Sequence, residues 1–338
     1  MKVTIYDVAK VAQVSISTVS KVINRTGNIS EKTRNRVLQV MEDLNYRPSV
    51  VASALTGKPT NTIGLLIPDL ANPFFAEIAR SVEDRGHESG FNLMICSTDN
   101  DPEKENQYIS LMRQKSVDGI ILASGLKSDT AIKKLVENKI PVAVIARDMP
   151  MLAVNAVLVD DFAGGYLATS HLISLGHRRI AIVAEDLRVM SSRERVRGYR
   201  HALEEAGIAY DDNLLQVSDF TVEGGRRAVL RLLEMPERPT AVFACNDLLA
   251  VGAMRAAKEF GLVIPDDLSV VGFYNTIFAE IVDPGLTTVA QPIVDMGRQV
   301  MELLIEEIQG KENPTRRVVL LPKLIERKST APVKSFKP

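Results

Sequence analysis

From Thr62 onward the chain alternates short apolar runs with amphipathic ones. TIGLLIP, NLMICS, GIILAS, VAVIA, AVLVD, RIAIVA, LLQVSDF, AVFACN and LSVVGF read as strands. Between most of them, segments 76–89, 103–115, 129–138, 164–175, 193–206 and 247–260 carry apolar residues at helical spacing. Such alternation predicts parallel sheets covered by helices on both faces. The stretch is too long for one unit of this kind, so two lobes are expected, with ligands held at the carboxyl ends of the strands.

The first sixty residues follow another pattern. Thr4 and Asp7 are spaced as a capping box ahead of Ile5, Val8, Ala9 and Ala12 on one helical face. "QVS" breaks that helix, and Ser15 or Ser17 can cap a second whose aliphatics are Ile16, Val19, Val22 and Ile23. A third begins near Ser30, with Val37, Val40, Met41 and Leu44 at helical spacing. Three short helices with a tight turn between the first two predict a helix-turn-helix. "SVVASALT" then reads as a short apolar helix and "GKPTN" as a linker. A helix of that length needs a partner, most simply its copy in a dimer.

Charge sharpens the division. Residues 1–60 hold nine Lys/Arg and four acids, so this segment is +5 within a chain of net charge −1. Polyanion contact depends on such local charge, because fields decay over roughly 8 Å at physiological salt. No apolar run spans a membrane, and "MKVTIYDVAK" lacks a signal peptide's apolar core. Cys96 and Cys245 lie in apolar runs and are expected to be reduced, buried and cytosolic. His87, His171, His177 and His201 form no metal-spaced pair. There is no nucleophile elbow, phosphate loop or dinucleotide fingerprint, so neither catalysis nor a cofactor or metal is expected. A periplasmic solute-binding protein would fit the body alone, but not the basic first segment.

The second helix of a helix-turn-helix enters the major groove by its N-terminal end. Ile16, Ser17 and Lys21 would face base edges: lysine suits guanine, serine suits several bases, and Ile16 suits a thymine methyl. Tyr6, Thr18, Ser20, Asn24 and Thr33 are placed for phosphate contacts, and Leu55 for a wedge in the minor groove. In the body, the residues that follow strands are Phe74 and Phe75, then Ser191, Arg193 and Arg195, then Phe220, Asn246 and Asp247.

"TIYDVAKVAQVSISTVSKVIN", "ISEKTR" and "LNYRPSVVASALTGK" resemble the headpiece and hinge of the LacI family of bacterial transcription regulators. The likeness continues to about residue 328 through "NPFFAEI", "QKSVDGIIL", "GHRRIAIV", "GYRHAL", "PTAVFACNDLLAVGAM", "GLVIPDDLSVVGF" and "PGLTTVAQP". It implies a helical headpiece (1–46), a hinge helix and linker (47–61), and a two-lobed α/β core with parallel sheets. That core is shared with periplasmic sugar-binding proteins. Its N-terminal lobe would take 62–160 and 291–320, and its C-terminal lobe 161–290 and 321–330, with crossings near 160, 290 and 320. The same resemblance makes Ile16, Ser17 and Lys21 base readers, Ala52 and Leu55 minor-groove hinge residues, and Arg195 an effector-binding arginine.

Two positions depart from the family. Tyr274 and Ala146 stand where members usually carry aspartates that accept from ligand hydroxyls. Tyr274 is therefore expected to stack on a ligand ring, with Asn275 offering a polar contact. Arg147, Arg193 and Arg195 would leave the cleft cationic and suited to a sugar phosphate or sugar acid, with a neutral sugar or glycoside, a nucleoside or a protein corepressor as the alternatives. The implied protein is a cytoplasmic homodimeric repressor on a near-palindromic operator, controlled by a small effector or by a protein corepressor. The tail, "LIERKSTAPVKSFKP", lacks leucine heptads that would bundle it into a tetramer.

Overall fold

A computed structural model describes residues 3–23, 26–47, 59–123, 129–149, 151–311 and 313–333. Two compact units divide at Thr60/Asn61. Most of the hinge segment, with Ala52 and Leu55, lies outside the described residues, as does Asn24.

The first unit contains α1 (Ile5–Val11), α2 (Ile16–Ile23) and α3 (Glu31–Asp43). Asp7 starts α1 by accepting from the Thr4 amide (2.8 Å) and the Thr4 hydroxyl (2.7 Å). Those bonds hold its carboxyl below the usual range. Ser15, rather than Ser17, caps α2 by accepting from the Thr18 amide (3.1 Å). Ser30 caps α3 through the Thr33 amide (3.3 Å). Val8, Ala9 and Ala12 pack with Val19, Val22, Val37 and Val40 in one small core. Ile16 stays out of it, 42% exposed.

The second unit runs β1 (Thr62–Ile67), α4 (Pro73–Glu88), β2 (Asn92–Ser97), α5 (Pro102–Gln114), β3 (Gly119–Leu122), α6 (Asp129–Glu137), β4 (Val142–Ile145) and β5 (Asn155–Val159). It continues with α7 (Asp161–Ser174), β6 (Ile180–Ala184), α8 (Met190–Glu205), β7 (Leu215–Val217), α9 (Val222–Leu233), β8 (Ala241–Ala244), α10 (Asp247–Glu259), β9 (Ser269–Tyr274), α11 (Ile277–Ile281) and β10 (Thr287–Ala290). It ends with α12 (Ile293–Ile308), β11 (Arg317–Leu320) and β12 (Lys323–Ile325). Two six-stranded sheets result, ordered β11-β5-β4-β3-β1-β2 and β12-β10-β9-β8-β6-β7. All pairings are parallel except β12 with β10. The chain passes from one sheet to the other after β5, after β10 and after β11.

Strand burial follows position in the sheet. β3, β4, β6 and β8 are buried along their whole length, as strands covered on both faces must be. β2 is an edge strand and only part-buried. This corrects one expectation: Cys96, on β2, is partly exposed, while Cys245 is fully buried. His177 is buried, with its ring nitrogens on the Thr240 and Ser269 hydroxyls and the Ala331 carbonyl.

Glycines set one contact that matters for the site. A Cβ on Gly165 of α7 would stand 2.2 Å from the Arg195 carbonyl oxygen, and one on Gly198 of α8 would stand 2.1 Å from that of Phe162. Only glycine at both positions lets the two helices approach so closely, and that approach brings Arg195 to Asp161.

Candidate effector cleft and DNA-reading helix

A cavity of about 710 Å³ opens at the carboxyl ends of strands from both sheets. That volume lies in the range of small-molecule sites. Phe74, Phe75 and Arg147 line it from one sheet's side, and Ser191, Arg195 and Tyr274 from the other's.

Arg195 is 2% exposed. Its guanidinium donates through Nε to Asp161 Oδ1 (2.8 Å), pairs with the same oxygen through Nη2 (2.8 Å) and reaches the Tyr274 hydroxyl (3.2 Å) through Nη1. The same Nη1 donates to the Cys245 carbonyl. Its cationic carbon lies 3.9 Å from the centre of the Phe273 ring. Burial alone would lower its pKa, but Tyr274, Asp161 and Glu185 around it outweigh that and keep it charged.

Tyr274 stacks on Phe74, with ring centres 4.0 Å apart and planes 14° from parallel. The Phe220 ring lies 6.1 Å from that of Tyr274, tilted by 34°. Since Phe74 begins a helix beside one sheet and Tyr274 ends a strand of the other, the stack bridges the lobes. Tyr274 has φ of +108°, a conformation that side chains rarely adopt. Such strain is of order 1–3 kcal/mol and persists only where surrounding contacts hold it. Here the stack and the bond to Arg195 do so. The Tyr274 hydroxyl is pushed well above its ordinary pKa by burial, so it stays protonated.

Phe74, Ser191, Arg193, Arg195, Phe220 and Tyr274 all line this one cavity. Asn246 and Asp247 do not. Asn246 is fully buried, its carbonyl oxygen capping α10 through the Leu249 amide (2.8 Å) and its amide donating to Glu185 (3.0 Å). Asp247 accepts from the Thr276 amide (2.7 Å) and from the hydroxyls of Thr276 (2.9 Å) and Thr288 (2.7 Å). Both therefore fix the start of α10 and the strands beside it. Burial pushes the Asp247 carboxyl up to about 6 despite those bonds.

Asp161, Glu185 and Gln291 are among the lining residues that escaped the sequence reading. Glu185 follows "RIAIVA" directly, so the strand-end rule itself would have found it. Gln291 follows "TTVA", too short a run to be read as a strand.

In the first unit Ile16, Ser17 and Lys21 are exposed on α2, and Tyr6 is 67% exposed. The Ser17 hydroxyl lies 2.8 Å from Ser15 Oγ, and that of Thr18 lies 2.9 Å from it. Ser20 is half-buried, and so is Thr33, whose hydroxyl meets Ser30 at 2.9 Å.

Comparison with known proteins decides the lineage. Residues 4–49 match the model for bacterial regulatory proteins of the lacI family, and residues 169–330 match a periplasmic binding protein-like domain. The HTH-type transcriptional regulator DegA of Bacillus subtilis (strain 168) is 48% identical over 98% of this chain and 99% of its own. The chain belongs to the LacI family. It is a DNA-binding transcription regulator with a helical headpiece and a two-lobed α/β core. Among solved structures, the lac repressor dimer bound to operator and the anti-inducer ONPF superposes with TM-score 0.87. It is 30% identical, over 98% of this chain and all of that one. A complex of the regulator CelR with cellobiose gives 0.75 at 33% identity, covering 97% of this chain and all of that one. LacI-family headpieces and cores thus account for nearly the whole sequence.

Proposed function

We propose that this regulator binds a near-palindromic operator as a homodimer, and that a small molecule in the cleft between its lobes sets its operator affinity. The observation that carries the reading is the cavity itself, with Phe74, Tyr274 and Arg195 together in its wall. Ile16, Ser17 and Lys21 are assigned to base edges, and Tyr6, Thr18, Ser20, Asn24 and Thr33 to phosphates. Ala52 and Leu55 are assigned to the minor groove. The effector is a sugar or sugar derivative, in keeping with the cellobiose named for CelR. The protein works by repression in the cytoplasm and carries out no catalysis.

One feature favours a second reading. The chain's own Phe74–Tyr274 stack already joins the lobes. A core joined in this way is suited to control by a protein corepressor that docks on its surface, with the cleft left unused.

Selection of duplexes from a random pool by the full chain tests the DNA side. A two-fold repeat is expected, and Lys21→Ala should relax preference at one position per half-site at a cost of about 1–3 kcal/mol. Recovery of no common sequence would contradict the assignment.

A further inference from the structure

The charges of the cleft point away from an anion. Among the described lining residues there are eight carboxyl groups and five arginines. Arg195, Arg188 and Arg317 are paired with Asp161, Asp186 and Asp148, all within the same lining. The first turn of α8 faces the cavity at Ser191 with no side-chain cap. Its dipole amounts to only about half a positive charge, too little to reverse the balance.

Glu185 and Gln291 are among the acceptors left over in the wall. Glu185 sits half-buried beside Arg195, but no arginine, lysine or histidine among the described residues lies within 4 Å of it. One of its carboxylate oxygens accepts from Asn246, and the other has no hydrogen-bond partner among the described residues. Gln291, 9% exposed, has a buried Oε1 with no partner at all among them. In strand order Glu185 and Gln291 stand on opposite sides of Tyr274. A buried acceptor without a donor, as Gln291 Oε1 is, is costly, and a donor brought by a ligand removes that cost.

We propose that Glu185 anchors a subsite for a positively charged amine, so that the effector is an amine-bearing sugar or similar cyclic polyol with a second donor for Gln291. This rests on the cleft being the effector site. The deep end holds one guanidinium and two carboxylates, Asp161 and Glu185, and an ammonium completes that set where a phosphate would oppose it. Burial and Asp161 raise Glu185 to about 7, above its usual range, while Arg195 and the Asn246 bond pull it down.

Calorimetric titration of the full chain at pH 7.5 with matched probes tests the subsite. The probes are glucosamine, galactosamine and mannosamine, the corresponding neutral hexoses and their 6-phosphates. At least one amine is expected to bind about tenfold or more tightly than its neutral isostere, the worth of one charge-assisted hydrogen bond. Glu185→Gln should collapse that ratio, and Glu185→Asp should recover part of it. The proposal is overturned if a hexose or its phosphate binds more tightly than the amine, or if Glu185→Gln keeps the ratio. A neutral or anionic ligand that Phe74→Ala abolishes would sink the amine subsite and leave the cleft reading standing. Silence from every probe would sink both.

Discussion

At the scale of single residues, Arg195 does most to define the cleft, because it is buried and bonded on every side. Arg195→Ala leaves Asp161 facing low-dielectric surroundings without a counter-charge. Loss of one partner from such a pair costs about 3–5 kcal/mol, which urea unfolding at pH 7 would register as a fall in midpoint. Glu185 makes an opposite kind of contribution. Its carboxyl, raised to about 7, keeps its proton in the fold at pH values where the unfolded chain has released it. The folded state therefore binds more protons between pH 4.5 and 7, and this group's contribution to stability falls as pH rises through that window. Glu185→Gln should flatten the decline and leave the variant more stable than the parent at pH 8, by up to about 3 kcal/mol. Thermal midpoints measured at half-unit pH steps would show it. A variant with an unchanged pH profile would mean that Glu185 is ionised in the fold as it is in the unfolded chain.

At the scale of elements, the crossing of α7 and α8 positions Arg195, and it depends on glycine. Gly165→Ala would press a methyl group against the Arg195 backbone, where 2.2 Å is available. Overpacking of this kind costs about 1–3 kcal/mol, and here it should also displace Arg195 and weaken any ligand of the cleft. Denaturant unfolding together with ligand titration would register both effects. Periodicity and turn chemistry made much of this level legible: alternating runs marked most strands of both sheets, and valines at helical spacing marked α2 and α3. The strands missing from that reading have physical reasons. β10, β11 and β12 are three or four residues long, and β11 begins at a charged residue and alternates exposed with half-buried positions. The spacing of α2's aliphatics also could not tell that Ile16 faces outward while Val19 and Val22 face in.

Site residues were legible where a strand's end announced them. Phe74, Ser191, Arg193, Arg195 and Phe220 follow strands and line the cavity. Asn246 and Asp247 follow a strand as well, yet face the interior. The rule gives position along the strand and says nothing of which way the first residues of the next helix turn. The cationic cleft expected from Arg147, Arg193 and Arg195 also looked different once Asp161, far from Arg195 in sequence, stood beside it in a wall of eight carboxyl groups.

At the scale of the molecule, two lobes meet through a stack that the protein makes with its own side chains. A ligand in this cleft must either insert beside Phe74 and Tyr274 or part them, and either step changes how the lobes are held together. A ligand shifts DNA affinity only by its preference for one arrangement over the other, and the reverse coupling is equal. The most direct measurement is operator affinity by fluorescence anisotropy at fixed salt, on the full chain, with the cleft empty and then saturated by the ligand found above. The account predicts a change in Kd of about 5- to 150-fold, the usual span of such coupling, lost in Phe74→Ala. An operator Kd that is the same with the cleft full and empty would contradict it.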